Sequence, residues 1–160
     1  MSESPTTPIY ADRSTGEKFA DATSMVTAYL AKYAQRAALK NPTAAGTVPR
    51  LDDTGYAQVH RGSVTIGVNV LEEQGVMMIF APVMPVPVTG REVFYRRILE
   101  LSFVGTSDAA FAINAAQDEV VVRSLRRLSA LDYEEFEDLL TTVGEVADTW
   151  DDTLIRDFGT

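Results

Sequence analysis

The chain has no cysteine among its 160 residues and a single histidine, His60. The first absence excludes disulfide frameworks, thiolate nucleophiles and cysteine–zinc sites together, and it fits a reducing compartment. The second leaves no histidine-based metal centre and no spare base for a Ser–His–Asp triad. His60 stands in the segment GYAQVHR, where a structural place on a strand face accounts for it. No apolar run approaches the ~20 residues of a membrane span. The opening MSESPTTPIYADRSTG lacks the basic and apolar regions of a secretory signal, so a cytoplasmic location is expected. Positive charge is scarce as well. Fourteen Lys and Arg against 23 Asp and Glu give a net charge of −9, a surface that repels phosphate backbones and anionic lipid. Nucleic acid and membrane are therefore not expected partners. The one concentration of positive charge, Arg96 and Arg97 with Arg123, Arg126 and Arg127, reads as solvated strand and helix faces.

Catalytic motifs are missing too. HRGSV does not complete the Gly-x-Ser-x-Gly elbow, and VGTSDAA lacks the Gly-Lys-Ser/Thr ending that cradles phosphates. Asp148, Asp151 and Asp152 belong to the wet side of a helix. Paired carboxylates need environments that push their pKa values apart before they do acid–base work. Asp52-Asp53 precedes Thr-Gly and is turn chemistry. No alternating oxygen ligands with a glycine and a distant glutamate make a calcium loop. No catalytic residue, metal or cofactor is expected.

What is present is an ordinary globular composition, 46% hydrophobic and 23% charged, in a chain long enough to bury its own core. Residues 1–13 read as a mobile Ser/Thr/Pro tail and 14–158 as one domain. Ser14-Thr15-Gly16-Glu17 reads as a capping box opening a helix whose apolar face carries Phe19, Ala22, Val26, Tyr29, Leu30, Tyr33 and Ala37. That helix stops before Asn41-Pro42. Three strands follow: GYAQVHR, then SVTIGVNVL with Val64, Ile66, Val68 and Val70 on one face, then VMMIFA. VMMIFA is apolar on both faces, so either both are covered or one is a contact surface. Pro82, Pro85 and Pro87 are expected to end it. Thr89-Gly90-Arg91-Glu92 reads as a second capping box, opening a helix through about Leu101. A hairpin comes next, with Phe111 and Ile113 alternating with alanines. The last helix has Asp132 at its N-cap, Glu135 three residues on, and Leu131 and Phe136 at the staple positions. Helices and hairpins on an antiparallel sheet make an α+β domain of order α-βββ-α-ββ-α.

The second half resembles a known family. The run Ala110-Phe111-Ala112-Ile113, the polar turn from Asn114 to Asp118, the valine-rich Glu119 to Leu125, the lead from Leu128 to Leu131 and the acidic helix from Tyr133 to Leu154 look like the YbjN and type III secretion chaperone-like group. The element order is similar over residues 15–156. The resemblance implies a homodimer, without catalysis, that holds an extended segment of another protein on apolar grooves and sheet edges. Phe94, Ile98, Leu101, Phe111 and Ile113 are the expected self-association residues. Met77, Ile79, Tyr29 and Tyr33 are the expected partner contacts. The alternative is a regulator or scaffold of the same fold that binds one folded partner.

Overall fold

The computed structural model describes residues 9–44 and 46–159. Its first element is a small ribbon, β1 (Tyr10–Ala11) paired antiparallel with β2 (Lys18–Phe19). Residues 1–8 of the expected tail lie outside the described residues, but from Tyr10 onward the chain is built into the fold. Ser14 and Thr15 open no helix. They close the ribbon's turn, donating backbone N–H groups to the Asp12 carboxylate at 2.8 and 3.0 Å. The pattern that marks a capping box serves equally well where a side-chain oxygen holds a local turn. The N-cap of the first helix, α1 (Ala22–Lys40), is Asp21, which accepts from the Ser24 N–H at 2.7 Å. α1 buries Ala22, Met25, Val26, Tyr29 and Leu30 and ends at Asn41, because Pro42 disfavours helical backbone at the residue before it.

The main sheet is five-stranded and antiparallel throughout. β3 (Tyr56–Arg61), β4 (Val64–Leu71), β5 (Val76–Pro85), β6 (Ala110–Asn114) and β7 (Glu119–Arg127) lie in the order β3-β4-β5-β7-β6. Apart from the ribbon, the order is the expected helix, three strands, helix, two strands, helix. One boundary differs. β5 runs through Pro82 to Pro85, and its pairing with β7 shifts register between Pro82 and Met84. That bulge lets a central strand carry residues without an N–H.

The second helix, α2 (Arg91–Val104), starts from Gly90 at φ +66° with no side-chain cap, so the expected capping box does not form there. It also runs one turn beyond Leu101. The last helix, α3 (Tyr133–Phe158), is capped as its sequence indicates, with Asp132 accepting from the Glu135 N–H at 2.8 Å. Only half of the box is made, because the Glu135 carboxylate turns to Arg126 instead. Leu131 and Phe136 are both buried. At 26 residues α3 is ~39 Å long, enough to cross the sheet, and it packs on β4, β5 and β7. Gly144 sets the closeness of that crossing, since a Cβ there would stand 3.2 Å from Arg61 Cδ and Ile66 Cδ1. The core lies between α1 and α3 and one face of the sheet, with Ile66, Val68, Met77, Ile79, Val120 and Val122 at its centre.

Candidate partner-binding surface

Strand alternation sends odd and even residues of each strand to opposite faces. On β5, Met77, Ile79 and Ala81 face the helices and are buried, while the half-buried Met78 and Phe80 point to the other side. Register then assembles an open face. Met78 sits opposite Asn69 and Leu125, and Phe80 opposite Gly67 and Arg123. Arg123 in turn faces Ala110, and Val121 faces Ala112. The Phe80 ring lies across Gly67, with Tyr56 6.2 Å away on the far side. A cavity of about 320 Å³ opens here, lined by Met78, Phe80, Ala112, Val121 and Arg123 among others.

Gly67 makes this placement available. A Cβ at that position would fall 2.6 Å from the Phe80 ring. Gly67→Ala is expected to swing the ring tip into solvent at a cost of about 1 kcal/mol, because only the end of a flexible side chain has to move. A urea midpoint that falls slightly at unchanged slope checks this.

The structure redistributes the expected site residues. Met77 and Ile79 are fully buried under the helices, so neither reaches a partner from this conformation; alternation alone could not say which side of an all-apolar strand is covered. Tyr29 is also a core residue. Its hydroxyl donates to Asp12 at 2.9 Å, and its ring packs edge-on against Phe19 and Tyr133. Tyr33 is half-buried, and burial raises the pKa of its hydroxyl.

Of the expected self-association residues, Phe94, Ile98, Leu101 and Phe111 are buried within the chain. Ile113, on the edge strand β6, is 44% exposed. The uncovered side of α2 carries a second apolar set instead: Val93, Leu99 and Phe103 are 66%, 69% and 86% exposed. A cavity of about 700 Å³ runs along that side beside Tyr95, Arg96 and Leu99. The signal was in the sequence. A helix whose apolar residues exceed one stripe has two faces to cover.

Charges divide between tying the fold together and standing free. Arg126 bridges Asp108 and Glu135, joining β7 to the segment before β6 and to the first turn of α3. Arg36 and Arg61 reach Glu137 and Glu145 of α3 at 3.4 and 3.5 Å. His60 lies on the exposed side of β3 with its Nδ1 3.3 Å from the Thr65 hydroxyl. Among the described residues, no three or more His, Asp or Glu side chains are grouped to hold a metal. No described helix is long and apolar enough to cross a membrane.

Among the described residues, the sheet is clothed by helices on one face and bare on the other, with an uncovered helix beside it, which makes the chain an α+β domain with one open sheet face. Solved structures share it. An ExsC–ExsE complex aligns at TM-score 0.66 and 22% identity over 84% of this chain and 96% of that one. The HopA1–SchA chaperone–effector complex aligns at 0.58 and 9% over 80% and 97%. The Yersinia pestis type III secretion chaperone SycH, bound to a fragment of YscM2, aligns at 0.54 and 14% over 77% and 97%. The chain belongs to the Tir chaperone protein (CesT) family, which it matches over residues 50–151. That membership falls on the secretion-chaperone side of the expected resemblance rather than on YbjN. No curated protein sequence matches.

Proposed function

We propose that the chain is a cytoplasmic, non-catalytic homodimer that holds an extended segment of a type III secretion effector against the open face of its sheet. The observation that carries this reading is the uncovered row Met78, Phe80 and Leu125, set between two free sheet edges, β3 and β6. The edges offer backbone groups to an extended chain, and the face offers apolar surface to its side chains. Methionine and phenylalanine suit this work, since Met re-packs around varied shapes at small cost. The second apolar side of α2, with Leu99 and Phe103, supplies the dimer contact.

The test is limited trypsin digestion of an effector encoded beside this chain's gene, with and without the protein. Wild type is expected to slow cleavage of one effector segment about tenfold. Phe80→Asp, whose far-ultraviolet circular dichroism should match wild type, is expected to abolish that protection. Full protection by Phe80→Asp would show that the segment lies elsewhere. Protection only of an already folded effector domain would favour the regulator or scaffold reading.

A further inference from the structure

Arg123 stands in the middle of the open face, across from Phe80 on β5 and Ala110 on β6, and its side chain helps line the 320 Å³ cavity. Five other arginines hold carboxylates: Arg36, Arg61, Arg96, Arg126 and Arg156. Among the described residues, Arg123 makes no ion pair and no side-chain hydrogen bond, although the chain has 23 acidic residues to its 14 basic ones. In water that costs nothing. Under a partner it costs a great deal, because anything that covers Met78 and Phe80 also covers Arg123. A guanidinium sealed against apolar surface without a counter-charge is strongly unfavourable, and the same guanidinium clasping a carboxylate is not.

We infer that Arg123 selects the partner: the segment over the open face is an amphipathic one that sets a Glu or Asp carboxylate on Arg123 beside an apolar side chain in the cavity. This rests on the reading of the open face as the binding surface. The segment is extended where it meets the sheet edges; the stretch that crosses the face finds side chains there but no backbone partners, so it satisfies its own N–H and C=O groups as a short helix. Arg127 lies on the same face four residues along, ~13 Å away, opposite Val76 at the strand's end. It is exposed, lines no part of the cavity and contributes far less to discrimination.

The probes are two synthetic helical peptides with one leucine stripe and labelled N-termini. One carries glutamates flanking the stripe and the other carries glutamines. Fluorescence anisotropy with the full chain is expected to show the glutamate peptide binding about tenfold tighter, against the pull of a −9 protein on an acidic ligand. Arg123→Gln is expected to remove the preference, and Arg127→Gln to keep most of it. Salt should weaken the preferred complex, whereas net-charge repulsion alone would make salt strengthen it. Equal binding of both peptides that Phe80→Asp still abolishes would overturn the acidic preference and leave the surface standing. A preference that survives Arg123→Gln would overturn it too. Failure of both peptides to bind would overturn the preference and the surface together.

Discussion

Asp12→Ala is expected to lower the stability of the fold by about 3–5 kcal/mol, the cost of stranding two buried donors and unpinning the ribbon. The Asp12 carboxylate is 2% exposed and accepts five hydrogen bonds. Ser14 gives its backbone N–H and its hydroxyl at 2.8 and 2.6 Å, and Thr15 gives its N–H at 3.0 Å. The Tyr29 hydroxyl donates at 2.9 Å from α1, and the Tyr133 N–H at 3.0 Å from the first turn of α3. One side chain therefore joins the ribbon to both core helices. Alanine leaves the last two donors buried and unpaired, and it loosens the cover that Phe19 gives to Tyr29. In a chain of this size the melting temperature should fall by roughly 10 °C.

The pH dependence follows from the same contacts. Burial pushes the Asp12 pKa up, but the hydrogen bonds from Ser14, Thr15, Tyr29 and Tyr133 outweigh it and hold the carboxyl well below its ordinary 3.8. In the unfolded chain Asp12 protonates first as pH falls. Its contribution is therefore complete above about pH 4 and is lost below it, as the pH drops toward the folded-state value. Melting curves from pH 7 to pH 3 should show wild type and Asp12→Ala far apart at neutral pH and converging in acid. A constant gap across that range would contradict the account.

Leu99→Asp combined with Phe103→Asp is expected to give a monomer where the proposed reading makes wild type a homodimer. The two positions are one turn apart on the uncovered side of α2, so they form one exposed apolar patch. Light scattering at micromolar concentration should give wild type twice the 17.5 kDa chain mass and the double variant the chain mass itself. Neither side chain packs in the core, so the variant's melting temperature at high dilution should match that of wild type. Phe94→Ala provides the contrast. It empties a fully buried site and should cost about 3–5 kcal/mol whatever the oligomeric state. A wild-type mass of 17.5 kDa would overturn the dimer.

Much of this architecture was legible in the residues. The 3.6-residue spacing of Phe136, Leu139, Leu140, Val143 and Ala147 gave α3 its buried face, and the alternation in SVTIGVNVL gave β4 both of its faces. The site was less legible. VMMIFA is apolar at every position, so period two carries no sign there. The choice between Met77/Ile79 and Met78/Phe80 is made by which face α3 covers. α2 posed the same problem in helical form: one apolar stripe enters the core and the other stays outside, and only packing tells Ile98 from Leu99.

By itself the sequence determined the class, α+β with an antiparallel sheet and a capped acidic last helix, because propensity, periodicity and capping act over a few neighbouring residues. It determined the acidic surface in the same local way. Tertiary structure alone decided that Asp12 is a core anchor rather than part of a tail, since its Tyr133 partner lies 121 residues away. It also decided that Arg123 is left without a carboxylate while Arg126, three residues on, holds two. Each depends on which distant elements meet, and the pairing of distant elements is set by burying the whole core at once.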